Sequence, residues 1–159
     1  MSDHGVSSQK GTGGTASGRR LRVVEESCVG CRICELACSM VHRDGGFNPR
    51  NGLIRVESNR ETGPNKPVSH IDYPRICRQC DPAPCADACP AGAFGANRAL
   101  AIQVIDPEEC TGCGQCLDAC PYGMVLMDRE AEKAGKCDLC GGEPLCVRYC
   151  PAGALVFEE

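Results

Sequence analysis

The sequence predicts an α+β chain of short helices and small β-hairpins, with little regular structure and one small motif used four times. Three observations predict it. All 16 cysteines of the 159 residues fall into four groups of four, in one order and at related spacings. Each group is followed at a short distance by an apolar segment of strand type. With no Trp, 3 Phe and 3 Tyr, the chain lacks the aromatic side chains of an ordinary core. Whatever the cysteines hold must stand in for that core, and folding must be coupled to its insertion.

The group from Cys110 to Pro121 sets the pattern: Cys-Thr-Gly-Cys-Gly-Gln-Cys-Leu-Asp-Ala-Cys-Pro, or C-x2-C-x2-C-x3-C-P. This is the iron–sulfur run of bacterial type. Three thiolates of a tight loop cap three corners of a 4Fe–4S cube, and the fourth points away to a neighbouring cube. Gly112 and Gly114 let the backbone wrap an inorganic core at positive φ, and Pro121 ends the helical turn. Cys28, Cys31, Cys34 and Cys38 repeat the spacing, with Ser39 in place of proline. Cys77, Cys80, Cys85 and Cys89 precede Pro90, their middle gap stretched to four residues. Cys137, Cys140, Cys146 and Cys150 precede Pro151, with that gap stretched to five. The chain therefore reads as tandem bacterial-type ferredoxin-like units of two 4Fe–4S clusters each. Because each fourth thiol serves a partner's cube, the groups must associate in pairs. Spacing alone does not say which.

Other uses of so many thiols fit poorly. Thiols three residues apart crowd one another and have no distant strand to staple, and no secretory signal precedes them, so a disulfide scaffold is rejected. Zinc sites combine two separated C-x2-C pairs, whereas each pair here carries two further thiols and three groups end in Cys-Pro. No trio has the C-x3-C-x2-C order of radical S-adenosylmethionine enzymes.

In chain order, residues 1–20 are rich in Gly, Ser and Thr and read as a flexible tail. The pair Arg19-Arg20 is followed by charged residues rather than an apolar region, so it is not an export signal. Leu21–Val24 reads as a short strand and Glu35–Val41 as the helix of the first group. Leu53–Glu57 is a second strand, Asn59–Pro67 a polar loop and Val68–Tyr73 a returning strand. His42 and His70 lie in this insert; with every cysteine set complete they are read as structural. Gly95–Arg98 reads as the turn of a hairpin that ends at Leu100–Ile105. Tyr122–Leu126 and Ala152–Phe157 repeat the strand after a Cys-Pro, and Met124, Leu126, Met127 and Phe157 are assigned to packing round the cubes.

The formal net charge is −4, and four oxidised cubes with their thiolates bring it to roughly −12. Such a polyanion does not seek nucleic acid or an anionic membrane surface. Arg32, Arg78, Lys136 and Arg148 stand beside ligands and could stabilise reduced clusters; solvated surface charge is an equal reading of each. No apolar run is long enough to span a bilayer, and the expected location is the cytoplasm.

At this point the residues resemble a known family. Cys-Arg-Gln-Cys-Asp-Pro-Ala-Pro-Cys-Ala-Asp-Ala-Cys-Pro and Lys-Cys-Asp-Leu-Cys-Gly-Gly-Glu-Pro-Leu-Cys-Val-Arg-Tyr-Cys-Pro are similar to the four-cluster iron–sulfur subunits of molybdenum- and tungsten-pterin oxidoreductases. Cys-Arg-Ile-Cys-Glu-Leu-Ala-Cys, His42 and Phe47-Asn48-Pro49 look closest to the small electron-transfer subunit of tungsten aldehyde oxidoreductases. The resemblance runs from about Arg22 to the end. It implies a four-cluster domain over 21–159, with an outer half (21–76 plus 132–159) and an inner half (77–131). It implies that the outer groups pair and the inner groups pair. One cube then takes Cys28, Cys31, Cys34 and Cys150, and the second takes Cys38, Cys137, Cys140 and Cys146. The third takes Cys77, Cys80, Cys85 and Cys120, and the fourth Cys89, Cys110, Cys113 and Cys116.

The function this implies is a non-catalytic electron-transfer subunit, relaying single electrons through four 4Fe–4S clusters. One partner would be a large tungsten- or molybdenum-pterin catalytic subunit. The other would be a flavoprotein, a ferredoxin or a second copy of this chain, since a linear array has two ends. No flavin or nucleotide fingerprint is present. A free-standing polyferredoxin carrier and an iron–sulfur redox sensor are the alternatives; four complete cysteine sets argue for conduction rather than sensing, and co-purification with a large partner separates a subunit from a carrier.

Overall fold

The computed structural model describes residues 19–42, 47–63, 66–128 and 130–158. The expected tail lies outside these residues except for Arg19 and Arg20.

Regular structure among the described residues consists of four separate two-stranded antiparallel ribbons, four α-helices and three short 3-10 turns. Strands β1 (Arg20–Val23) and β8 (Leu155–Glu158) bring the two ends of the described chain together. Alternation explains the pairing: Leu21 and Leu155 are buried on one face, while Arg20 and Arg22 on the other reach Glu158 at 3.2 and 2.5 Å. Strands β2 (Arg55–Gly63) and β3 (Lys66–Arg75) form a long ribbon out of the insert. Strand β4 (Phe94–Asn97) pairs with β5 (Ile102–Ile105), and β6 (Val125–Asp128) with β7 (Lys133–Lys136).

Helix α1 (Ile33–His42) is the longest, and Ser39 is the reason. The three groups that end in Cys-Pro have helices of four or five residues: α2 (Pro84–Asp87), α3 (Gln115–Ala119) and α4 (Leu145–Arg148). Proline after the last cysteine offers no N–H to the preceding turn and ends the helix. Ser39 lets the helix run on and folds its hydroxyl back to the Leu36 carbonyl at 2.8 Å.

Helix α1 packs on α4 and α2 on α3. The buried side chains divide in the same way. One cluster gathers Leu21, Cys34, Cys38, Leu139, Cys146 and Leu155; the other gathers Ala83, Cys85, Ala93, Cys110, Cys116 and Val125. Cysteines thus occupy the places that aromatic residues fill in ordinary cores, and no helix among the described residues is long and apolar enough to cross a membrane.

Two expectations are corrected. Residues 59–63 and 66–67, read as a polar loop, continue the β2–β3 ribbon and leave only 64–65 between its strands. Residues 95–97, read as a turn, are the end of β4, and the turn lies at 98–101, where the Asn97 side chain accepts from the Ala99 and Leu100 amides. Strand β7 is not anticipated; it forms a hairpin with β6.

Candidate metal centres

Twelve of the sixteen thiols line three cavities. Cys28, Cys31, Cys34 and Cys150 share one. Cys38, Cys137, Cys140 and Cys146 share a second, which Cys77 also borders. Cys77, Cys80, Cys85 and Cys120 share a third. The remaining four also meet, since Cys89, Cys110 and Cys113 are the thiols whose charges act on Cys116. All sixteen are free thiols. Soft thiolate donors converging on small apolar-walled spaces fit iron–sulfur cubes, and no Asp or Glu carboxylate, the ligand magnesium or calcium prefers, is among the residues that line them.

The loops achieve this convergence with left-handed backbone. Gly112 has φ 72° and Gly114 φ 80°, as their place in the Cys110–Cys116 loop requires. Gln79 (φ 48°) and Cys140 (φ 49°) take the same conformation without being glycine, a sign of a loop whose geometry is imposed by what it surrounds.

A second device recurs in the Cys-Pro-x-Gly segments. The chain turns back at Gly92, Gly123 and Gly153, all at φ 60–64°. The next amide then donates to the fourth thiol: Ala93 to Cys89 at 3.4 Å, Met124 to Cys120 at 3.4 Å and Ala154 to Cys150 at 3.3 Å. The first group has no such segment because α1 continues. There the insert supplies the donor, Leu53 N to Cys38 Sγ at 3.1 Å. Sequence reading missed these amides, although the Cys-Pro-x-Gly pattern repeated three times is the signal that could have found them.

Burial pushes the Cys34 thiol up to about 12, with the Glu35 carboxylate adding to it. Burial likewise takes Cys146 to about 12, with Cys38 next in effect, and Cys116 to about 11. Cys137 is driven well above the ordinary thiol range for the same reason. Thiols so placed ionise only when a cation joins them, because coordination deprotonates a thiol outright.

The polar groups around the cavities tie the cysteine groups to one another. Burial lowers the His42 pKa, but hydrogen bonds to Asp138 and Cys38 outweigh it and raise the ring to about 11. Lys136 Nζ donates to Gln79 Oε1 at 2.5 Å and to the Gln103 carbonyl at 2.6 Å. Gln79 Nε2 in turn donates to the Cys137 carbonyl at 2.8 Å. Arg78 lies over the Tyr122 ring, 4.4 Å from its centroid, beside the third cavity. Of the four cations singled out in the sequence, only Lys136 is buried.

Short helices, paired ribbons and thiols gathered in fours define an iron–sulfur protein of ferredoxin-like build. The chain belongs to the 4Fe–4S dicluster domain family, whose model matches residues 68–159; a further 4Fe–4S binding domain matches residues 25–41. It therefore binds several 4Fe–4S clusters. It is similar to the protein NrfC of Escherichia coli K12, 36% identical over 140 residues, covering 84% of this chain and 61% of NrfC. It resembles the polyferredoxin-like subunit of the aliphatic sulfonate oxidoreductase of Pyrococcus furiosus, 36% identical over 128 residues, 80% of this chain and 69% of that protein. It also resembles the electron transport protein HydN of Escherichia coli K12, 34% identical over 151 residues and 81% of each chain. The chain spans about three fifths of the length of NrfC.

Proposed function

We propose that this chain is a non-catalytic electron-transfer subunit that holds four 4Fe–4S cubes in a row. The first would be held by Cys28, Cys31, Cys34 and Cys150, the second by Cys38, Cys137, Cys140 and Cys146. The third would be held by Cys77, Cys80, Cys85 and Cys120, the fourth by Cys89, Cys110, Cys113 and Cys116. The grouping of thiols round common cavities carries the reading. Adjacency supports the order. Cys34 is among the charges acting on Cys146, Cys77 among those acting on Cys137, and Cys85 and Cys116 share one buried cluster. Bound cubes supply one-electron redox chemistry. The chain's part is to fix their spacing, to shield them with apolar side chains and to aim amides at sulfur.

Two ends follow from a row. Cys31 and Cys113 are the exposed thiols of the sixteen, and they belong to the first and fourth cubes. Near Cys31 in the chain, Val29 is 66% exposed, and Ile33, Met40 and Val41 of α1 and Phe47 are exposed as well. That surface suits a lasting interface, and we assign it to a large tungsten- or molybdenum-pterin catalytic subunit, in the first instance an aldehyde oxidoreductase. The Cys113 end would meet a flavoprotein, a ferredoxin or a second copy of this chain. Anaerobic affinity purification from the native host tests the assignment. A pterin-containing partner in stable ratio is the expected result; a chain that elutes alone, with its clusters intact, supports a free-standing carrier instead.

A further inference from the structure

Lys136 is 6% exposed and closes β7, directly before Cys137. Its two hydrogen-bond acceptors, Gln79 Oε1 and the Gln103 carbonyl, are neutral. Among the described residues no carboxylate pairs with it, in contrast to Arg32, which reaches Glu35 at 3.6 Å, and to His42, which reaches Asp138 at 2.8 Å. A buried charge without a counter-charge is costly, and neutral oxygens offset that only in part. The side chain borders the cavity of Cys77, Cys80, Cys85 and Cys120. The anion that cavity is built to take is a cube with four thiolates.

We propose that Lys136 is the buried counter-cation of the cube assigned to these four cysteines, and that its ammonium makes this cube easier to reduce. The inference rests on the ligand assignment above. Reduction adds one electron and no proton, so the cube with its thiolates becomes more negative by one charge, and a fixed cation stabilises the reduced form more than the oxidised one. Burial strengthens the effect, because water does not screen the pair. The same cation pulls against the rise that burial imposes on the Cys80 and Cys85 thiols.

The test is an anaerobic redox titration of the full chain with dithionite as reductant, followed by electron paramagnetic resonance. Lys136→Gln keeps a donor and removes the charge. One of the four midpoints should fall by at least about 59 mV, a tenfold change in the ratio of reduced to oxidised cube for one electron, while the other three stay. Lys136→Arg should restore most of the shift. Gln79→Glu, which sets a carboxylate against the ammonium, should lower the same midpoint. Four unmoved midpoints, equal shifts in several cubes, or no restoration by arginine would overturn the proposal. Should Lys136→Gln load no iron, wild-type protein labelled with ¹⁵N at lysine decides. Electron–nuclear double resonance should then find one lysine nitrogen coupled to a reduced cube, and its absence sinks the idea. A Cys120→Ser variant marks which signal belongs to this cube. If it leaves the Cys77 signal untouched the ligand assignment fails, whereas an assignment that holds beside an unmoved midpoint removes only the role of Lys136.

Discussion

His42 Nε2 donates to Asp138 Oδ1 at 2.8 Å, and its Nδ1 donates to the Cys38 carbonyl at 2.9 Å. The ring therefore ties the last turn of α1 to the loop between Cys137 and Cys140, residues 96 positions apart in the chain. Asp138 also caps that loop, accepting from the Cys140 amide at 2.8 Å. Two cysteine groups distant in sequence are held in register by one imidazole.

His42→Ala should loosen the second cavity selectively. A hydrogen bond to a charged partner contributes about 1.5–3 kcal/mol, which corresponds to roughly tenfold to hundredfold in a rate. Iron release to a chelator, measured anaerobically, should accelerate by that factor for about a quarter of the iron. Uniform acceleration of all the iron would contradict a local role.

Gly112 and Gly114 separate two costs of replacing a loop glycine. Both lie at positive φ, where an L residue costs about 1–2 kcal/mol. A Cβ on Gly112 would also run into the carbonyl oxygen of Glu132, a backbone atom. A Cβ on Gly114 would meet only the Met127 methyl, at 3.9 Å. Gly112→Ala should thus fail to retain the fourth cube on purification, whereas Gly114→Ala should keep it with a modest loss of stability. Iron analysis of the two variants checks the order, and equal iron contents would refute it.

The cysteine groups are legible in the sequence because a ligand set is a local code: three thiols and a helical turn need fewer than a dozen residues. The helix ends are legible for the same reason, as Ser39 against Pro90, Pro121 and Pro151 illustrates. The ribbons are less so. Lys133-Ala134-Gly135-Lys136 carries no apolar alternation, and becomes β7 because β6 offers it a partner. Ser58-Asn59-Arg60-Glu61-Thr62 likewise shows no period, yet continues β2. Pairs such as His42 with Asp138 and Lys136 with Gln79 are invisible to spacing, since they bridge groups far apart in sequence.

Iron removal should unfold the chain. Six of the cysteines are themselves buried members of the two apolar clusters, and they cannot remain there as thiolates without metal. Holo-protein purified without oxygen should contain about sixteen irons, four per cube. After chelation, far-ultraviolet circular dichroism should lose most of its ordered signal, and apo-protein should become sensitive to protease between the cysteine groups. A chelated chain that keeps its spectrum and its protease resistance would show that the ribbons and polar bridges suffice alone.

The proposed exchange of fourth thiols makes the last prediction, and it sets two geometries against each other. Cys120 follows Cys116 by one short helix, so the simplest local site would be Cys110, Cys113, Cys116 and Cys120. Yet Cys120 borders the cavity of Cys77, Cys80 and Cys85, and it is among the charges acting on Cys80 and Cys85. Cys116 instead feels Cys89. Packing of α2 on α3 brings the two sets side by side. Cys120→Ala should therefore perturb the cube of Cys77, Cys80 and Cys85, converting it to a three-iron form or losing it, with the Cys110 cube unchanged. Cys89→Ala should do the reverse. Selective labelling of the cysteines, read by the paramagnetic shifts of their β-protons in nuclear magnetic resonance, assigns each effect to its cube. If Cys120→Ala instead removes the shifts of Cys110, Cys113 and Cys116, each group closes its own cube and the crossed arrangement is wrong.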